Sequence, residues 1–339
     1  MLGLHSCQAQ EPVKTIVHKD NKSTFLLDSA QAAQMIVEDR YDNYFNLVLP
    51  VEMSIQMHQP LNPDADLADT RSRYRSYLQS DVDSFTARQS QWVAEVVKQV
   101  YETCNQVNPN IFPDSLILIK TKANHYGKGV YYTRGKCIVI PADVFEEKDK
   151  SAFLSTMYHE VFHIYSRLHP EKKLQLYALI GFQPVGLENV LFPSPLNERV
   201  LFNPDGVDFA QRINLQLENG EKINAIPIIY ANEDGYTDEK KTFFSYLEFN
   251  LFKVEESPDN KWVVETADDG LTSTLSIHQI PDFYKQIRDN TTYIIHPDEV
   301  LADNFSFIML DLDGKQASIK FSKEGKHLLK DMDAILRAN

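Results

Sequence analysis

The sequence predicts an α+β fold, and three observations carry that expectation. Residues 81–168 read as a long helix, then β-prone runs, then a strongly apolar helix. Residues 184–280 break into short apolar runs separated by turn signals, the pattern of a β-rich and loop-rich region. From residue 281 to the end, helical periodicity returns.

A chain of 339 residues suits one large domain or two intimate subdomains with a substantial core. Its 43% hydrophobic and 11% aromatic content mark it as globular. The net charge of −14 argues against nucleic acid as the main partner, because no basic patch stands out to neutralise phosphates. No apolar run approaches the length of a membrane span. The cysteines, Cys7, Cys104 and Cys137, form no CxxC pair, so they suggest no redox or zinc module.

In chain order, residues 1–20 are polar and expected to be flexible. Within them, Leu4-His5-Ser6-Cys7 resembles a bacterial lipoprotein box, which makes Cys7 a candidate lipid anchor and points to an extracytoplasmic location. The basic and apolar regions that precede such a box are missing, so a cytoplasmic location stays open. A first part is expected over 21–182. There, residues 44–57 alternate apolar and polar side chains around Pro50 and read as an irregular strand or packing arm. Residues 62–68 read as an acidic loop. A helix is expected from about 81 to 105, with Asp81 as its N-cap and Phe85, Trp92, Val93, Val96, Val97, Val100 and Tyr101 as its apolar face. Residues 113–120 read as a buried strand. Residues 130–133 and 136–140 read as a hairpin joined by Arg134-Gly135. Pro170 opens a further helix and Gly181 closes it. The β/loop-rich region over 183–280 is expected as an insertion, followed by a helical part over 281–339 that ends in an amphipathic helix over 320–338.

The chemistry sits in the apolar segment 151–168, SAFLSTMYHEVFHIYSRL. His159 and His163 are four apart, so on a helix their imidazoles lie one turn apart on one face and can reach a single metal ion. Glu160 can then address a water without binding the metal. That HExxH pattern is the arrangement of a zinc hydrolase, with the Glu as general base. A chance match is the bland reading, but the apolar setting argues against it, since buried polar groups need partners.

Zinc in a catalytic site takes three protein ligands, so a third is needed. Glu299 is the first candidate. It lies in His296-Pro297-Asp298-Glu299, where Pro297 suits a first helical turn, and Asp303 follows it by four residues on the same face. Asp303 would then accept the free ring N–H of a ligating His. His169 is the second candidate, ten residues after His159. His296 and Tyr293 are candidates for a proton donor or oxyanion stabiliser, as are Tyr131, Tyr165 and Arg167. His125 and His278 read as surface histidines, and 311–314 as a turn.

The order of elements before the HExxH helix, with Glu-x-x-x-Asp at 299–303, resembles the zincin metallopeptidases, in particular the gluzincin (thermolysin-like) branch. The resemblance implies a zincin-like catalytic domain, His159, His163 and Glu299 as Zn²⁺ ligands, Glu160 as base, Asp303 as support for a ligand His, and a peptide or protein substrate. It also implies that a sheet edge near 127–132 lines the cleft, where an extended peptide can pair. His169 instead matches the histidine spacing of the metzincins, but Ser166 stands where that group has Gly. Two rival functions are a zinc amidohydrolase acting on a non-peptide amide, which a peptide-library digest would separate, and a non-catalytic binding protein, which a chelator-sensitive turnover assay would exclude.

Overall fold

The run Leu116-Ile117-Leu118-Ile119 has no polar face, so as a strand it needs cover on both sides. In the computed structural model, which describes residues 14–338 apart from 42, 61, 63, 148, 206–210 and 316–319, it becomes a central strand. The first sheet comprises β1 (Lys14–Val17), β2 (Ser23–Leu26), β3 (Val82–Asp83), β4 (Ser115–Thr121), β5 (Tyr132–Arg134) and β6 (Cys137–Pro141). Its order is β1-β2-β4-β6-β5, with β3 paired to β4. β2, β4 and β6 run parallel, and β5 closes the edge antiparallel to β6. Alternation then divides the core. Leu116, Leu118, Ile138 and Ile140 join one apolar cluster, while Ile119, Cys137 and Val139 join the other.

Short helices cover the second face: α1 (Ser29–Met35), α2 (Tyr44–Leu47), α3 (Pro50–Met57) and α4 (Leu67–Asp81). The first face receives α5 (Ala87–Val107), which buries Val93, Val96, Val97, Val100 and Cys104 at helical spacing. After α6 (Val144–Glu147) comes α7 (Lys150–Leu168), whose Phe153, Leu154, Met157, Val161 and Phe162 are all buried in that cluster. Each such side chain stabilises the fold by roughly 1.5–3 kcal/mol relative to exposure. The apolar remainder of α7 therefore holds its two imidazoles in place. α8 (Pro170–Leu179) follows, and Gly181 terminates it with a φ of +84°.

The second sheet comprises β7 (Phe182–Pro184), β8 (Val190–Leu191), β9 (Gln211–Gln216), β10 (Lys222–Ala231), β11 (Leu247–Glu256) and β12 (Trp262–Val264), in the order β7-β9-β10-β11-β12-β8. It is antiparallel except at β12–β8. α9 (Ser194–Asn197) lies in the region between β8 and β9. The chain then returns through α10 (Pro281–Ile287) to α11 (Pro297–Leu312), which lies against α7, with Phe162 and Phe305 5.4 Å apart by ring centroid. α12 (Lys323–Arg337) packs Leu328, Met332 and Leu336 onto the first cluster. The molecule is α+β with two sheets.

Several local expectations give way. Residues 44–57 form α2 and α3 rather than a strand. Pro50 occupies the first helical turn, and the polar positions of the apparent alternation are buried as well, Glu52 and Gln56 hydrogen-bonded to each other and to Tyr44, and Ser54 to the Gln59 carbonyl. Asp81 ends α4 rather than starting the long helix. Thr86 caps α5, with Gln89 completing a capping box. α4 begins at Leu67 under an Asp66 cap, inside the expected loop. Lys14–Val17 is a strand, within the segment expected to be flexible over 1–20, and residues 1–13, Cys7 among them, lie outside the described residues. The hairpin turn is Gly135-Lys136, one position later than expected, where Gly135 has a φ of +53°. His125 is buried, with Nδ1 2.5 Å from Asp81 and Nε2 3.0 Å from the Tyr132 hydroxyl, so it is no surface residue.

Candidate metal centre

α7 is capped by Asp149 and runs unbroken through the HExxH stretch, which puts His159 and His163 on one face. α11 starts at Pro297 and presents Glu299 in its first turn toward them. The Glu299 Oε2 lies 3.0 Å from His159 Nε2 and 3.3 Å from His163 Nε2. One ligand atom from each of the three residues lies within 4.8 Å of the others, a group that could hold a metal ion. His169 is outside the group: it joins α7 to α8, its ring 4.6 Å from that of Tyr165.

The outer ring nitrogens are fixed by carboxylates. His159 Nδ1 lies 2.9 Å from Asp303 Oδ1, and His163 Nδ1 lies 2.7 Å from Asp298 Oδ2. Each Nε2 is thereby turned toward Glu299. Asp298 also accepts the Ser166 hydroxyl at 2.6 Å and the Tyr177 hydroxyl at 2.8 Å, and Asp303 accepts the Thr291 hydroxyl. Glu299 gives its other oxygen to Asn203, whose Nδ2 donates to Oε1 at 2.5 Å. Only Oε2 therefore faces the two rings.

Within the HExxH and Glu299 cluster, two buried polar atoms have no hydrogen-bond partner: His163 Nε2 and Glu160 Oε2. The first is the nitrogen a cation would engage, since its 3.3 Å contact with Glu299 lacks hydrogen-bond geometry. The second belongs to the carboxylate next to the first ligand, so the donor set fits a cation with a water beside it. In the metal-free protein, protons take the cation's place. Burial alone would lower the His159 pKa, but hydrogen bonds to Asp303 and Glu299 raise it to about 10. His163 is likewise held well above its ordinary value against burial, first by the Glu299 charge. Burial would raise Glu299, yet the two rings hold it well below the usual carboxylate range. Burial, reinforced by the Asp205 carboxylate, pushes Glu160 up to about 8.

The group opens on a cleft of about 350 Å³ lined on one side by Lys128, Gly129, Val130 and Tyr131, and on the other by Tyr293 and Phe244. Residues 128–131 are a turn leading into the edge strand β5, not a strand themselves. Tyr293 lies at the rim, its ring 6.0 Å from His159 and near-parallel to it. His296 is not in the cleft: it is the N-cap of α11, and its Nδ1 accepts the Asp298 N–H at 3.1 Å. Tyr165 is buried in the core, and Arg167 donates to Thr133 Oγ1 and the Gly135 and Pro204 carbonyls.

Three contributors escape a reading of the sequence. Asn203 and Asp205 come from a stretch that reads only as a turn, and nothing local marks them. Asp205 accepts the Thr133 backbone N–H and hydroxyl and lines the cleft near Glu160. Asp298 had a signal, since two ligating rings need two acceptors and it is the acid beside Glu299. No family model matches this chain, and no curated protein and no solved structure matches it significantly.

Proposed function

We propose that the protein is a zinc-dependent metallopeptidase of the gluzincin type. The observation that carries the reading is the convergence of His159, His163 and Glu299, each outer ring nitrogen held by its own carboxylate, with the partnerless Glu160 oxygen alongside. Two nitrogens and one oxygen are a zinc donor set, whereas calcium and magnesium sites are built from oxygen. Bound there, Zn²⁺ would supply Lewis-acid polarisation of a carbonyl and acidify a water.

The chain's own residues do the rest. Glu160 takes the proton of the attacking water and passes it to the leaving amine. Tyr131 and Tyr293 flank the cleft where a carbonyl oxygen would gain charge, and either hydroxyl can donate to it. The turn that lines the cleft leads into the sheet-edge strand β5, which supports an extended peptide over a compact amide as substrate.

Glu160→Gln tests the reading. Turnover of a peptide library should fall by about 10²–10⁴-fold or more while zinc content stays at one ion per chain. Undiminished turnover in that variant would remove Glu160 as base.

A further inference from the structure

The guanidinium of Arg134 is buried without an anion. The residue is 4% exposed, and its Nε and Nη2 have no hydrogen-bond partner. No ion pair joins it to a carboxylate among the described residues. Three rings surround it instead: Tyr44 with its centroid 3.7 Å away, Phe45 at 4.9 Å and Tyr132 at 5.6 Å. Ring faces attract a cation but bring no oxygen to its N–H groups. Glu52, the buried carboxylate of the same cluster, is spent on other donors. Its Oε1 takes the Tyr44 and Tyr126 hydroxyls and the Gln56 amide, and its Oε2 takes the Phe202 N–H. A buried charge that lacks both a counter-ion and acceptors is costly, so the fold calls for a group that supplies them.

Arg134 lines a cavity of about 110 Å³ at the β5–β6 turn, on the side of the first sheet turned away from α7. The cavity shares no residue with the metal cleft. Arg40 and Lys136 add two cations to its wall, and Glu38 is its one carboxylate. Arg40 already holds both Glu38 oxygens at 3.0 Å. Arg134 and Lys136 are thus left without a neutralising partner on that wall, in a chain whose net charge is −14. The turn itself shapes the site. Arg134 and Lys136 flank Gly135, and a Cβ on Gly135 would meet the Tyr41 ring at 2.6 Å. The bare glycine therefore lets Tyr41, 49% exposed, close down beside the two cations.

We propose that this cavity is an oxyanion site, which takes a phosphate or carboxylate group between Arg134 and Lys136. A guanidinium presents N–H groups at the spacing of two oxygens on one such group, and the Lys136 ammonium adds a point charge. The size is adequate. At roughly 10–15 Å³ for each water, the cavity has room for about seven to eleven, enough for one small oxyanion and part of its hydration. The site stands apart from the metal chemistry and holds whether or not the protein is a peptidase.

Calorimetric titration of the full chain tests this, with the protein metal-free so that no anion binds through zinc. One arm uses inorganic phosphate and the other acetate, each against chloride at equal ionic strength. At least one oxyanion should saturate a single site per chain where chloride does not, and the tighter arm tells phosphate from carboxylate. Lys136→Gln should weaken that binding by about 10-fold, and Arg134→Gln should abolish it. Lys128→Gln, in the metal cleft, should leave it unchanged. Circular dichroism checks that each variant is folded. Should Arg134→Gln unfold, the contrast between Lys136→Gln and Lys128→Gln decides alone. Two results would overturn the proposal: neither oxyanion binding better than chloride, or binding that Lys136→Gln leaves intact.

Discussion

Asp298→Asn puts the most weight on the geometry. The Asp298 carboxylate is 1% exposed and takes three donors: His163 Nδ1, the Ser166 hydroxyl and the Tyr177 hydroxyl. Burial would raise its pKa, but the hydrogen bond and charge of His163 overcome that and hold it at about 2. Against an ordinary value of 3.8, the gap is nearly two units, or roughly 2–3 kcal/mol of stability in the metal-free protein. Because the folded pKa is the lower one, that stabilisation is complete above about pH 4 and is lost as pH falls through about 2. The asparagine removes the charge and turns an amide N–H₂ toward groups that are themselves donors. Metal-free Asp298→Asn should lose roughly 2–3 kcal/mol in urea unfolding at neutral pH. With His163 no longer oriented, its zinc affinity should fall toward the upper end of about 10–100-fold, read by competition with a chromophoric chelator. Asp303→Asn should cost less, near the lower end of that range, because its side chain is 27% exposed. An Asp298→Asn protein that binds zinc within about threefold of the parent would refute the claim that this carboxylate orients the ligand.

Two further outcomes follow from the same site. Hydrogen bonds and charges of the neighbouring carboxylates hold both rings above their ordinary pKa in the metal-free protein, His159 at about 10, so zinc uptake should release protons and affinity should rise with pH over that range. Calorimetry in buffers of different ionisation enthalpy measures this, and zinc uptake without proton release would contradict it. Asn203→Ala should free the second Glu299 oxygen and weaken zinc binding by about 10-fold. The absorption of the cobalt-substituted variant should shift with the altered coordination, and an unchanged spectrum and affinity would show that Asn203 leaves the ligand's geometry alone.

What could be read from the residues was whatever spacing on one helix encodes. His159 and His163 on α7, and Glu299 and Asp303 on α11, share faces by their four-residue intervals, so the three members of the cluster and one of the two acids behind the rings were visible. β4 announced itself as an unbroken apolar run, and α5 by its valine periodicity. What failed to show was set by distant contacts. Glu52 and Gln56 look like the solvent face of a strand, yet they are buried with Tyr44, Tyr74 and Tyr126 in a hydrogen-bonded cluster. Asn203 and Asp205 acquire their roles only because Glu52 holds the Phe202 N–H at 2.9 Å and Thr133 holds Asp205, contacts that no local pattern reports. His125 likewise became a core residue through Asp81, which lies 44 positions earlier.

Glu299 is made 136 positions after His163, with the whole second sheet in between. On a ribosome working at about 5–20 residues per second, roughly 7 to 27 s pass between synthesis of the paired histidines and arrival of the residue that completes their grip. The growing chain thus carries an unfinished cluster through about two fifths of its synthesis. The three-residue cluster closes only when the late helix docks beside the early one, so the order of synthesis itself delays the moment at which the chain could grip a metal ion.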